Sequence, residues 1–321
     1  MKSLDLVLQG YEAASHEFVG GQLQRKRVSG QPQSESENII KNILPKFFAA
    51  AIEQSGRVAA QYRAYGSAGQ VNYPFAHIPW VAALYRQIST STERGYYIVL
   101  LFREDMQGCA LSLNQGYTQY RNAFGIRALA TAKIRESASF AATYLNLSAR
   151  FTLGPIDLAA TADMGIGYEN GAIASAIYRA HEEISEEQFR NDFTELLTAY
   201  DVLREKIGLN IVDAATPATE DDFQEVATAV SKSPPKKNLE IPPGPVPPPP
   251  KAKHSFGSGF KRDPRVSGKA IRDSGYLCEA DAGHLSFVAR TTKNNFVEAH
   301  HLIPVQFQKK KSSSDWMFQR T

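Results

Sequence analysis

Arg94-Gly95-Tyr96-Tyr97-Ile98-Val99-Leu100-Leu101-Phe102 is the stretch on which the fold turns. Its aromatic and β-branched residues predict a strand over Tyr96–Arg103, and a second strand is predicted at Cys109–Leu113, across a turn around Gln107-Gly108. Val58–Tyr65 is a third strand candidate. Within the first of these, Tyr97 and Leu101 are four residues apart and so share a face. Upstream, Leu4, Leu8, Tyr11, Ala14 and Phe18 recur at helical spacing, and Ile39, Ile40, Ile43, Leu44, Phe47 and Phe48 predict a second amphipathic helix that Pro45 perturbs. The polar run from Gly21 to Glu35 reads as a loop. Downstream, Tyr117–Tyr144 reads mainly as helix. Ser185-Glu186-Glu187-Gln188 is a capping box opening a helix that carries Phe189, Phe193, Leu196, Leu197, Tyr200 and Leu203, with Gly208 as its stop. These elements predict an α+β domain over residues 1–208, with a mixed sheet and flanking helices.

Residues 209–262 form an acidic, then Pro/Lys-rich, linker. The acidic part, 209–230, is poorly periodic. From Ser231 to Arg262 the chain holds nine of its 17 prolines, with Lys232, Lys236, Lys237, Lys251 and Lys253 interspersed. Such a run favours extended polyproline II, a semi-rigid spacer of about 3.1 Å per residue. A tether is the favoured reading, with a ligand for an SH3-type domain as the alternative. Charge is divided unevenly along the chain. Residues 231–321 carry 16 lysines and arginines against 7 acids, whereas residues 1–230 carry 20 against 26. A basic final third suits a polyanion, which releases counterions when its phosphates are contacted.

No stretch approaches the roughly 18 to 20 apolar residues of a membrane span, and Asp5 interrupts any apolar leader. The two cysteines, Cys109 and Cys278, lie in different predicted domains, which argues against a disulfide scaffold. The expectation is a soluble, cytoplasmic chain without membrane partners. Residues 1–208 contain no Gly-rich loop with Lys-Ser or Lys-Thr, no Cys-x-x-Cys and no histidine pair at ligand spacing. They do contain Asn72-Tyr73-Pro74-Phe75-Ala76-His77-Ile78-Pro79-Trp80-Val81, dense in aromatics. Such side chains either stack on nucleic-acid bases or fill an ordinary core.

Ile78-Pro79-Trp80, the 95–102 run, Leu111-Ser112-Leu113-Asn114-Gln115-Gly116 and Gly167-Tyr168-Glu169-Asn170-Gly171-Ala172-Ile173 together resemble the McrB-type (MrcB-like) N-terminal DNA-binding domain of modification-dependent restriction systems. The resemblance covers about residues 3–205. It implies a domain that binds double-stranded DNA and flips a modified base, such as methylated cytosine, into a pocket. The pocket residues would be Trp80, Tyr97 and Leu101. The DNA-contacting loop would lie at Asn72, with Tyr73 beside it. No role for Asn114 or Gln115 follows from the sequence beyond a strand-end turn.

Near the far end, Phe296-Val297-Glu298-Ala299-His300-His301-Leu302-Ile303-Pro304 resembles the first half of an HNH nuclease motif. Ser274-Gly275-Tyr276-Leu277-Cys278 and Gly283-His284-x-x-Phe287 upstream add to the likeness. Neutral imidazole is both a divalent-metal ligand and a general base near neutral pH. Adjacent residues on a regular strand face opposite ways, so the two histidines are expected to divide the labour. The resemblance makes His300 the ligand of a divalent ion, magnesium or manganese, and His301 the catalytic base. The run to Thr321 lacks the Asn and later His ligands of the motif and reads as a truncated or frame-shifted end. Residues 263–321 are therefore expected to form a partial ββα-metal module, half a site. A structural zinc belongs only to a complete domain, and Cys278 is read as a thiol outside any zinc site. The implied function is a modification-dependent restriction endonuclease, or a truncated form of one, with dimerisation on DNA left open. The alternatives are a DNA-binding module without catalysis and an interaction protein recruited through its prolines.

Overall fold

The chain begins with helix α1 (Lys2–Ser15), which buries Leu4, Val7, Leu8 and Tyr11 along one stripe. The helical spacing read as far as Phe18 ends sooner: Glu17–Val19 is strand β1, paired antiparallel with β2, Gln22–Gln24. Phe18-Val19 favours extended backbone, and the Gly20-Gly21 that follows is a two-residue hairpin signature. The expected loop, 21–35, therefore includes strand β2. Helix α2 (Glu35–Asn38) opens on a capping box between Ser34 and Glu37 and passes through a π-helical turn, Ile39–Ile43, into α3 (Leu44–Gln54). Pro45, in the first turn of α3, has no N–H to donate, and the wider turn before it is how the helix accommodates that loss.

A computed structural model defines residues 1–15, 17–19, 22–24, 33–69, 75–215, 220–232, 251–254, 257–260, 264–278, 281, 283, 287–288 and 293–297. These fall into two compact units, Met1–Pro217 and Ala218–Thr321.

A six-stranded sheet organises the first unit. Its strands are β3 (Tyr62–Gly69), β4 (Phe75–Tyr85), β5 (Tyr96–Phe102), β6 (Gly108–Gln115), β7 (Thr152–Leu153) and β8 (Ala174–Arg179), in the order β3-β4-β5-β6-β8-β7. The α+β class read from the sequence holds. The sheet itself was expected to be mixed, but its pairings are all antiparallel, as short connections between neighbouring strands favour. The strand expected at Val58–Tyr65 starts later, because a 3₁₀ turn at Ala59–Gln61 comes first. Strand β4 was not expected. Pro79 argues against a central strand, yet it lies just outside the regular ladder, where pairing with β5 begins at Trp80 and the register with β3 shifts between Ser67 and Gly69.

Strand alternation gives the sheet two unequal faces. Tyr96, Ile98, Leu100 and Phe102 join the large core with Phe48 of α3 and with Phe189, Phe193 and Tyr200 of the long helix at Glu186–Ile207. Tyr97, Val99 and Leu101 point into a smaller cluster on the other face. Between β6 and β8 lie α4 (Tyr117–Phe124), α5 (Arg127–Ala142) and α6 (Asp163–Gly171). The single helical stretch read over 117–144 is split at Gly125, whose φ of 71° ends α4. Helix α7 (Glu186–Ile207) is capped by Ser185 and buries the six apolar residues that its sequence pattern predicted, with Gly208 at φ 80° after it. Residues 209–230, poorly periodic in sequence, hold α8 (Ile211–Ala215), whose Ile211 is fully buried, and α9 (Glu220–Lys232).

In the second unit α9 is followed by the antiparallel pair β9 (Lys251–His254) and β10 (Gly257–Phe260) and then by α10 (Pro264–Asp273). Helices α9 and α10 meet closely at Gly268, where a Cβ would come within 2.5 Å of the Ala227 carbonyl oxygen. Ser231 Oγ lies 2.8 Å from the Tyr276 hydroxyl. Beyond them Val288 and Asn295 form an antiparallel bridge, with the Phe287 and Phe296 rings stacked at 4.9 Å. His300 and His301 lie outside the described residues. Among the described residues no helix is long and apolar enough to cross a membrane.

Gln115, at the end of β6, is fully buried and fully bonded. Its Nε2 donates to the carbonyls of Ile134 at 3.3 Å and Gly171 at 3.2 Å. Its Oε1 accepts from the Tyr120 hydroxyl and from Ser137 Oγ. One amide thus joins β6 to α4, α5 and the end of α6. Gln115→Leu is expected to cost about 3 kcal/mol in urea unfolding, because it removes four buried hydrogen bonds at once, while the Tyr120 and Ser137 hydroxyls retain each other. An unchanged urea midpoint would refute this role.

Candidate nucleic-acid interface

The smaller face of the sheet brings three of the sequence-selected residues together. Register places Trp80 of β4 directly opposite Leu101 of β5, and Tyr97 lies on the same face of β5. All three belong to the cluster that includes Ile78, Ala82, Ile156 and Leu158. They are not equally accessible. Tyr97 is 2 % exposed and Leu101 1 %, so they form a floor, while Trp80 is half-buried at the rim. The other two selected residues of this domain, Asn72 and Tyr73, lie outside the described residues, in the connection between β3 and β4.

Neighbours that sequence reading had not singled out complete the face. The Tyr65 ring stands edge-on to Trp80 at 5.2 Å, and the Arg63 guanidinium lies 4.3 Å over Tyr65. The Tyr65 hydroxyl accepts from Thr92 N at 3.2 Å, and the Tyr97 hydroxyl donates to the Thr92 carbonyl at 2.8 Å. The β4–β5 loop is therefore tied to two of the aromatic rings. Burial pushes the Tyr97 phenol well above its ordinary range, so it acts as a neutral donor. Tyr168 of α6 packs on the cluster, and its carbonyl is held by Asn114 Nδ2 at 2.9 Å. The buried Asn114, like Gln115, is thus a fastening for α6 rather than a turn residue.

Residues 154–162 lie over this face as an irregular strap. Leu158 is fully buried in the cluster. The strap is fastened by polar groups: Leu158 N and Ala160 N donate to Glu169 Oε1, Leu158 O accepts from Glu104 N, and Arg103 bonds Asp157. Glu104 accepts from Thr161 N at 2.9 Å and from its hydroxyl at 2.6 Å, with His77 Nδ1 at 2.7 Å. Nothing in an irregular segment signals such a strap in advance; only Tyr168 and Glu169 stood in a stretch marked by resemblance.

Neither cysteine forms a disulfide, and burial pushes the Cys109 thiol far up, leaving it inert. Among the described residues no group of three or more His, Cys, Asp or Glu side chains is placed to hold a metal ion. His300 and His301 are not part of that set.

An antiparallel sheet with one helix-covered face and one aromatic, strap-covered face defines an α+β domain. Residues 22–205 match the MrcB-like, N-terminal domain family, and the chain belongs to that family. No curated protein and no solved structure matches it. The match begins at Gln22, so α1 and β1 precede it, and it ends two residues before α7 does.

Burial works to raise the Glu104 carboxyl, but the hydrogen bonds from Thr161 and His77 outweigh it and hold the group below the usual glutamate range. Its stabilising contribution is present above the unfolded pKa of about 4.3 and is lost as pH falls through the lower folded value. Glu104→Gln is expected to lower the melting temperature at pH 7 and to narrow its gap from the parent below pH 4. A gap that stays constant with pH would contradict this.

Proposed function

We propose that the first unit binds double-stranded DNA and discriminates a modified base, such as methylated cytosine, at the Trp80, Tyr97 and Leu101 face. One observation carries the reading: in a chain of the MrcB-like family, pairing sets Trp80 against Leu101 with Tyr97 alongside, on a face separate from the main core. A base leaving the duplex needs an apolar floor, a stacking ring at the rim and a polar group at its edge. Leu101 and Tyr97 supply the floor, and Trp80 with Tyr65 supplies the rim. The neighbouring Asn72 and Tyr73 are the proposed contact to the opened duplex. Because Tyr97 and Leu101 are covered, the base enters past Trp80 as the strap shifts. Recognition of this kind requires no catalysis, and a DNA-binding module is the function best supported.

The test uses the whole chain. Trp80→Ala is expected to weaken binding to a duplex carrying the modified base by about 1–3 kcal/mol, with a much smaller effect on unmodified duplex. Equal losses on both duplexes, with the fold intact, would return Trp80 to an ordinary packing role.

A second reading is favoured by the Phe-Val-Glu-Ala-His-His-Leu-Ile-Pro wording. In it the second unit carries an HNH nuclease module, His300 binding a magnesium or manganese ion and His301 deprotonating the attacking water. A metal held by one histidine is weak, so further ligands have to complete the site. Plasmid nicking in magnesium or manganese separates the readings. The binding-module reading expects no nicking. The nuclease reading expects nicking that His301→Ala abolishes while DNA binding is retained, and nicking that persists in His301→Ala would rule out that base.

A further inference from the structure

The β4–β5 loop, residues 86–95, has a second surface that the aromatic face does not use. There Arg86, Ser89, Thr90, Arg94, Gln119 and Asn210 are among the residues lining an open hollow of about 340 Å³, and no carboxylate lines it. Glu93 is the sole acid of the loop and is not part of the lining. Among the first 230 residues acids outnumber lysines and arginines, so a hollow with two guanidinium groups and no acid runs against the local composition.

The backbone beneath it is rigid. Gly116 N donates to Gly95 O at 2.9 Å, Gly95 N to Gln119 Oε1 at 2.8 Å, and Gln119 N to Glu93 O at 2.9 Å. A Cβ on Gly116 would lie 2.3 Å from Arg94 N, so only glycine lets β6 and the loop approach this closely. Arg86 is oriented as well: its Nε donates to the carbonyls of Ala60 at 3.1 Å and Tyr62 at 2.9 Å. Among the described residues no hydrogen bond uses its two terminal nitrogens, and the exposed Arg94 side chain has no ion-pair partner there. Arg63, stacked on Tyr65, donates to the Thr90 carbonyl at 2.6 Å, which joins the hollow to the rim of the aromatic face.

We infer that this hollow is a phosphate site, in which Arg86 and Arg94 hold a backbone phosphodiester of the DNA strand whose base is read at Trp80. The inference rests on the DNA-binding reading above. A guanidinium whose Nε is already fixed to the protein presents its remaining N–H groups as a preset fork for anionic oxygens. Such contacts set register and affinity and carry no information about the base.

The experiment measures binding of the full chain to modified and unmodified duplexes by fluorescence anisotropy across a salt series. Its variants are Arg94→Gln, the Arg86→Gln/Arg94→Gln double variant, and Arg179→Gln as the loss of one exposed charge elsewhere. Arg94→Gln is expected to weaken both duplexes several-fold and to reduce the slope of log affinity against log salt by about 1, leaving the preference for the modified base unchanged. The double variant is expected to lose more, and Arg179→Gln to leave the slope near the parent's. Because Arg94 anchors no backbone group, Arg94→Gln remains informative where Arg86→Gln disturbs folding. Parent-like affinity and slope in Arg94→Gln overturn the site, as does a slope that Arg179→Gln lowers equally. If the parent binds no duplex, the DNA reading fails and the hollow is judged by inorganic phosphate. Saturable thermal protection that Arg94→Gln abolishes then keeps an anion site, and absent or unaltered protection removes it.

Discussion

The side-chain amide of Gln115 sits where β6, α4, α5 and the end of α6 converge, and its four hydrogen bonds leave it no spare donor and no unused acceptor atom. A buried amide is costly wherever any one of these partners is missing, so its position fixes the approach of all four elements together. The next residues extend the constraint. Asn114 holds α6 through Tyr168, and Gly116 admits the Glu93–Arg94 backbone against the end of β6. Three consecutive residues therefore determine where the strap-bearing helix and the arginine-bearing loop lie. Both surfaces proposed to meet DNA depend on that short segment.

The two faces of the sheet differ in how they are closed, and the difference suits binding. Helices α1, α3 and α7 cover one face with large apolar side chains, each contributing roughly 1.5–3 kcal/mol on burial. A ten-residue-scale strap closes the other, held by Glu104, Arg103 and Glu169 through largely exposed hydrogen bonds. Bonds that water can replace give low local opening energies, whereas the helix-covered core opens only with the whole domain. The aromatic face is thus the side of the sheet with the weaker, more water-accessible closure.

Strand β5 and helix α7 were legible because their patterns are local: a seven-residue apolar run bounded by turns, and a capped repeat of six apolar positions. Strand β4 was hidden by Pro79, which sequence rules exclude from a central strand and which the register shift tolerates. The end of α1 was overrun because Phe18 happens to continue the helical spacing into a hairpin. At the site, Trp80, Tyr97 and Leu101 were reached through family resemblance, and strand spacing supported the last two. Tyr65, Leu158 and Tyr168 come from three separate segments, and only the pairing of β3 with β4 and the closure of the strap bring them to one face. The role of Gln115 was unreadable for a related reason: all its partners except Tyr120 are more than fifteen residues away in sequence.

Charge sets a further condition on how such a domain meets DNA. With acids in excess over the first 230 residues, the average field of that part of the chain repels a polyanion. Many of its cations are also neutralised on the protein itself, as Arg103 is by Asp105 and Asp157, and Arg121 by Asp163. Attraction then has to come from places where a guanidinium is held by carbonyls rather than by carboxylates. Arg63 and Arg86 are such cases, each anchored through a neutral oxygen and so retaining its full charge for a ligand. Arg86 lies in, and Arg63 bonds to, the loop that also bonds Tyr65 and Tyr97. Over a Debye length of about 10 Å or less, local placement of this kind outweighs the sign of the distant net charge. In the proposed DNA-binding role, this arrangement would place attraction at the rim of the aromatic face and leave the rest of the acidic surface to disfavour other modes of docking.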